Sequence, residues 1–147
     1  MHESDISVRN TTYRLFVESG SAPSAVAVAS ATGSRVADIE AAWQRLHDAH
    51  AIVLQADSLE LRMANPFSAI PTAYRVHAGG RSWFANCAWD AFGICAALHS
   101  DGLIETSCPE CGETISCEVR DQQPIDRQLL FHCLVPATQW WDDIVFT

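Results

Sequence analysis

A chain of 147 residues, 48% hydrophobic and 18% charged, can bury a core of ordinary domain size, which excludes a disordered chain. All nine basic residues are Arg, and eighteen acidic residues leave a formal net charge of −9, which repels phosphate backbones and argues against nucleic acid as a partner. Met1 to Asp5 is polar and no apolar run is long enough to span a bilayer, so the reading is a soluble, cytoplasmic protein with no membrane partner.

The predicted elements begin with a helix from about Ser7 to Glu18, carried by Val8, Leu15, Phe16 and Val17 and ended by Gly20. Ser21-Ala22-Pro23-Ser24 reads as a cap for a short Ala/Val helix that stops at Gly33. Ser34 is expected to cap a longer helix, since Val36, Ile39, Trp43, Leu46 and Ala49 recur at helical spacing. Ile52-Val53-Leu54 and Leu59 to Met63, either side of a turn near Asp57-Ser58, read as a β-hairpin. Three helices and a hairpin make a winged-helix arrangement over residues 1–65. Its helix in the recognition position carries Arg35 and Arg45, but also Asp38, Glu40 and Asp48, so it is not a phosphate-tracking surface.

Asn65-Pro66 and Ile70-Pro71 mark a linker, and a second domain is expected over residues 66–147. There Ala73 to Ala78 reads as a strand and Gly79-Gly80 as a tight turn. Trp83 to Leu98 reads as a mostly buried helix, with Cys87, Asp90, Ala91, Ile94, Cys95 and Leu98 at spacings of three and four. Leu103 to Ser107 and Thr114 to Arg120 form a hairpin around Cys108-Pro109-Glu110-Cys111-Gly112. Gln128 to Val135 reads as another strand, Trp140 to Asp143 opens a last element, and Ile144-Val145-Phe146 looks like a strand just starting. The expected fold class is α+β: a winged-helix-like three-helix domain, then a small mixed or antiparallel sheet with one helix.

Six cysteines lie at 87, 95, 108, 111, 117 and 133, all in the second half. In a reducing cytosol such a cluster suggests metal or thiolate chemistry, although a free Cys is equally a small buried hydrophobe. Cys87 and Asp90, three residues apart, share one face of a helix. A thiolate and a carboxylate side by side each disfavour ionisation of the other, which tends to keep Asp90 protonated and fit to deliver a proton. A soft metal on the sulfur would release that conflict. The plainer alternative is a buried Cys87, with Asp90 capping the helix or pairing with Arg75 or Arg81. Cys108-Pro-Glu-Cys111-Gly has the form of a zinc knuckle, which needs four ligands and could be completed by Cys117, Cys133, His99 or His132 at irregular spacings; stray or redox-active thiols are the alternative. On a strand, His132 and Cys133 would point to opposite faces, which excludes them as a base and its nucleophile. No Gly-rich phosphate loop, Gly-x-Ser-x-Gly elbow or His-Glu-x-x-His motif occurs, so the common nucleotide and hydrolase readings lack support.

The segment Trp83-Phe84-Ala85-Asn86-Cys87-Ala88-Trp89-Asp90-Ala91-Phe92-Gly93 resembles the active-site helix of organomercurial (alkylmercury) lyases. The order of elements is similar to theirs, and the resemblance covers nearly the whole chain. The Cys-Pro-Glu-Cys-Gly hairpin and the stretch from Val135-Pro136-Ala137 to Trp141-Asp142-Asp143 resemble actinobacterial-type members. This resemblance implies protonolysis of a carbon–mercury bond to a hydrocarbon and Hg(II), with two cysteines holding mercury and an aspartic acid giving the proton. Cys87 matches the first cysteine and Asp90 the aspartic acid. It implies no required cofactor beyond the mercury of the substrate. The expected partners are an organomercurial small molecule and, for the product, low-molecular-weight thiols or a mercuric reductase.

The second cysteine of the family is expected about where this chain ends, so the C-terminal part that carries it reads as lacking. Cys133 and Cys117 are the candidate substitutes, and Cys108 and Cys111 are further thiols for Hg or Zn. A homodimer would then cover the open sheet edge. The competing function is a non-catalytic protein of the same fold that binds or senses Hg or Zn. A winged-helix regulator is a third, which the acidic charge opposes.

Overall fold

The computed structural model describes residues 3–145. Helix α1 (Glu3–Ser19) carries Glu3 and Asp5 in its first turn, where the helix dipole favours acids, and buries Asp5, Val8, Thr12 and Phe16. Helix α2 (Ala25–Thr32) starts where the Ser24 hydroxyl accepts the Ala27 N–H at 3.2 Å. It ends on Gly33, whose φ of +68° is the left-handed conformation glycine adopts without strain. Helix α3 (Val36–Asp48) is flanked by Arg35 rather than by Ser34, and Arg35 pairs with Asp38 at 2.7 Å in place of a side-chain cap. Its Ile39, Ala42, Trp43 and Leu46 stripe packs inward. The Trp43 indole N–H donates to the Thr12 hydroxyl at 3.0 Å, which donates in turn to the Val8 carbonyl at 2.9 Å. A 2.6 Å ion pair joins Asp5 to Arg45. These contacts fix α1 against α3.

Eight strands follow: β1 (Val53–Leu54), β2 (Leu61–Ala64), β3 (Phe67–Ser68), β4 (Tyr74–Ala78), β5 (Arg81–Ala85), β6 (Gly102–Ser107), β7 (Thr114–Arg120) and β8 (Gln123–Pro124). They form one sheet in the order β1-β2-β3-β5-β4-β6-β7-β8, with every pairing antiparallel. Strand β3 lies inside the stretch expected to be a linker, and its pairing to both β2 and β5 carries the sheet across residues 65 and 66. Helix α4 (Ala88–Leu98) packs on β4 and β5 through Ala91, Ile94 and Cys95. The Trp83 indole on β5 donates to the Phe16 carbonyl of α1 at 3.2 Å, which ties the helical part to the sheet. The α+β expectation holds: helices first, then an antiparallel sheet with one helix.

Two expected elements are corrected. Trp83 to Ala85 belong to β5, where buried Trp83 and Ala85 alternate with half-buried Ser82 and Phe84, and the helix begins only at Ala88. Gln128 to Val135 form no strand. Pro124 in β8 has no N–H to extend the ladder, and beyond it Leu130 and Leu134 are 96% and 73% exposed. The strand geometry that separated His132 from Cys133 is therefore absent. Ala137–Asp142 wind into a 3₁₀ turn, and Ile144 and Val145 lie in a turn, while Phe146 of the expected strand start is outside the described residues. No helix among the described residues is long and apolar enough to cross a membrane.

Candidate functional site

Strand β5 ends at Ala85 and delivers Asn86 and Cys87 to the start of α4. Cys87 is the N-cap residue, with extended backbone (φ −151°, ψ −178°) and its carbonyl accepting the Ala91 N–H at 3.0 Å. Asp90 stands in the first turn of the helix. The three-residue spacing therefore joins a cap to the first turn, as in a capping box, instead of two positions inside a helix. The consequence is chemical: the Cys87 sulfur faces amide N–H groups that a mid-helix residue would find already bonded.

Both groups of the pair are half-buried. Burial pushes the Cys87 thiol up, the N–H groups of Asp90 and Trp89 pull it down without forming a cap hydrogen bond, and the charges of Asp90 and Cys133 add to the rise. Burial likewise raises Asp90, against donation from the Asn86 side chain and then from the Cys87 thiol. The Asn86 amide donates to Asp90 Oδ2 at 2.9 Å, and lies 3.3 Å from Asn65 Oδ1 and 3.4 Å from the Pro66 carbonyl. Asn86 Oδ1 is buried with no hydrogen-bond partner. Of the arginines offered as alternative partners for Asp90, Arg75 instead donates to Ser82 Oγ at 2.9 Å and lies over the Phe84 ring.

Two tyrosines close the surroundings. Tyr74 of β4 has its hydroxyl pushed up by burial and then by the nearby Cys87 charge. Tyr13 of α1 is raised by burial, lowered by Arg9 and raised again by Asp90, and its hydroxyl donates to the Asn65 carbonyl at 2.9 Å. Sequence reasoning missed Tyr13, Asn65, Tyr74 and Asn86 as neighbours of the pair. Only Asn86 stood close enough in the chain to be found there.

The other cysteines separate into three places. Cys133 lies on the irregular segment after β8, close enough for its charge to act on Cys87, and its thiol donates to the Val135 carbonyl at 2.9 Å. That segment is held by Phe131 against Trp89 (6.4 Å between ring centroids), by the Trp140 indole donating to Val135 O at 2.8 Å, and by Trp141 stacked on His50 at 4.2 Å. Cys117 is 3% exposed on β7 opposite Ile104 and acts electrostatically on buried Cys95. It belongs to the core. Cys108 and Cys111 sit in the β6–β7 turn. Among the described residues no three His, Cys, Asp or Glu side chains are grouped to hold a metal ion, so neither His99, His132, Cys117 nor Cys133 completes a zinc set there. A cleft of about 730 Å³ over the β4–β5 turn, lined by His77, Gly79, Arg81, Asp101 and Arg120, contains none of the expected site residues.

A model of the alkylmercury lyase family matches residues 67–147, more than half the chain and the whole of the Cys87–Asp90 segment. Among solved structures the chain is similar to the crystal structure of the mercury-bound form of MerB2, at 26% sequence identity and a TM-score of 0.67. The match covers 86% of this chain and 60% of that one, so this chain spans less than two thirds of the length of that protein. No curated protein matches it.

Proposed function

The chain belongs to the alkylmercury lyase family, and from that premise we propose that it cleaves carbon–mercury bonds by protonolysis, with Cys87 holding the metal and Asp90 giving the proton. The observation that carries this reading is the pair itself: a thiol and a carboxylic acid one helical turn apart, both pushed by burial toward their protonated forms. A carboxyl that keeps its proton nearer neutrality is a general acid. A thiol that keeps its proton gives it up when a soft metal arrives, because metal ligation requires the thiolate.

The steps balance without any change of oxidation state. An organomercurial carried on a low-molecular-weight thiol exchanges onto Cys87, and that carrier thiol leaves with the proton of Cys87. Sulfur donation increases electron density on the mercury-bound carbon. Asp90 then transfers its proton to that carbon, the carbon–mercury electron pair forms the new C–H bond, and the hydrocarbon departs. Hg(II) stays on sulfur and Asp90 is left as carboxylate. Cys133 supplies the second sulfur in this reading, releasing its thiol proton to solvent as it ligates Hg(II), and its electrostatic proximity to Cys87 supports that role. Free thiols in solution then remove Hg(II), and solvent returns the proton to Asp90. Residues 1–65 act as a cover, with Tyr13 and Asn65 limiting water beside the acid.

Phenylmercury tests the assignment. The Asp90→Asn protein should bind it and release benzene about 10²–10⁴-fold more slowly than the parent. Benzene release at the parent rate would rule out Asp90 as the acid. A parent protein that binds phenylmercury and releases no benzene would instead leave a non-catalytic soft-metal binder.

A further inference from the structure

The β6–β7 turn has no part in that chemistry, yet it presents two sulfurs in a built arrangement. The Cys108 N–H donates to the Glu113 carbonyl at 2.8 Å and the Gly112 N–H to the Cys108 carbonyl at 2.9 Å, closing a tight loop. Gly112 has φ +72°, which lets the chain reverse immediately after Cys111. Within the loop the backbone N–H groups of Cys111 and Glu110, and then the Cys111 thiol, pull the Cys108 sulfur toward thiolate. Cys111 is exposed and Cys108 half-exposed, so a metal ion reaches them from solvent. Two cysteines of one tight turn need little rearrangement to grip one ion.

The identity of that ion follows from what is missing around it. Zinc in a structural site takes four ligands, and among the described residues no third His, Cys, Asp or Glu joins the pair. Hg(II) is satisfied by two thiolates, and soft thiolate ligands select soft metals. Position adds a second argument. Tyr74 pairs with Ala85 and Arg75 with Glu105, so β5 runs out toward Cys87 at the same end of the sheet where β6 runs out toward Cys108. Two strand spacings separate those exits, a lateral distance on the order of 10 Å.

We propose that Cys108 and Cys111 form a second, surface site for inorganic mercury, a two-sulfur chelate at the same end of the sheet as Cys87. Binding exchanges two thiol protons for one Hg(II) and changes no oxidation state. The further role of this chelate, taking Hg(II) from the Cys87 site by thiolate exchange, rests on the lyase reading above; its capacity to hold Hg(II) does not.

The test uses the full chain, mercuric chloride, and an excess of a monothiol that strips singly held mercury before desalting. A Cys87→Ser/Cys133→Ser protein should release no benzene from phenylmercury and should still retain one mercury per chain. Adding either Cys108→Ser or Cys111→Ser should lose that mercury, and each exposed serine should leave the circular dichroism spectrum unchanged. The proposal is overturned if the Cys87→Ser/Cys133→Ser protein retains none, if retention survives loss of Cys108, or if the purified protein carries zinc in a four-ligand site at this turn. Failure of the lyase reading is seen separately, as a parent protein with the hairpin mercury in place and no benzene release.

Discussion

Cys87 and Cys108 occupy the same local device in two different settings. In each, the sulfur faces the backbone N–H groups two and three residues further on: Trp89 and Asp90 for Cys87, Glu110 and Cys111 for Cys108. Those N–H groups favour a thiolate in both places. The thiols nevertheless move in opposite directions, Cys87 up and Cys108 down. Burial decides it: desolvation is the largest influence on Cys87, which lies near Tyr74 and Cys133, and only a minor one on Cys108 in the hairpin turn. The residue at the third position then sets what each site can do. Asp90 gives one sulfur an acid for a partner, and Cys111 gives the other a second sulfur.

Exchanging that third residue is the harshest way to break the comparison. Asp90→Cys should turn the α4 cap into a copy of the hairpin turn. Release of benzene from phenylmercury should fall by roughly 10²–10⁴-fold, the range a general acid supplies. Mercury should meanwhile resist removal by a monothiol better than in the parent. A variant that keeps its turnover would show that the difference between the two sites does not lie in the acid.

This contrast was only half legible in the sequence. The Cys-x-x-Asp spacing and its apolar surroundings were plain, and so was the Cys-x-x-Cys turn between two strands. Hidden was the fact that Cys87 caps a helix, because Arg-Ser-Trp-Phe-Ala is a short apolar run in which period two and period 3.6 cannot be told apart. The structure resolves it through Trp83, whose indole must reach Phe16 O on α1. Leu-Leu-Phe-His-Cys-Leu-Val read as a strand for the opposite reason. Its composition suits one, but strand formation depends on an available partner edge, which local sequence does not encode. Tyr13 and Asn65 were out of reach altogether, since the packing of α1 against the sheet brings Tyr13 near Asp90 and the pairing of β3 with β5 brings Asn65 beside Asn86.

A milder change sharpens the comparison from the acid's side. Asn86 donates to Asp90 Oδ2 at 2.9 Å and so favours its charged form, working against burial. On the proposed mechanism activity needs the protonated acid, so it should be present below the pKa of Asp90 and lost as pH rises through it. Asn86→Ala removes a donor to the carboxylate, the pKa rises further, and the alkaline limb of the pH–rate profile should move to higher pH. The plateau rate should change far less than the roughly 10²–10⁴-fold that loss of the acid costs. An alkaline limb that stays in place, or moves down, would mean that Asn86 does not act through the charge of Asp90.

The smallest effect concerns the sulfurs themselves. At neutral pH iodoacetamide should label Cys108 before Cys87, as followed by peptide mass mapping over time, because the Cys108 thiol is pulled toward thiolate while burial pushes the Cys87 thiol the other way. The margin should be narrower than the difference in ionisation alone would give. A thiolate of lower pKa is also the weaker nucleophile, with a Brønsted coefficient of about 0.4–0.5, so part of the advantage of Cys108 is returned in intrinsic reactivity. Raising the pH should narrow the gap, because Cys108, pulled down, reaches full ionisation at a lower pH than Cys87, pushed up. Labelling of Cys87 first at neutral pH would contradict the opposed burial of the two sites. A gap that stays constant as pH rises would put the difference down to access alone, with ionisation playing no part.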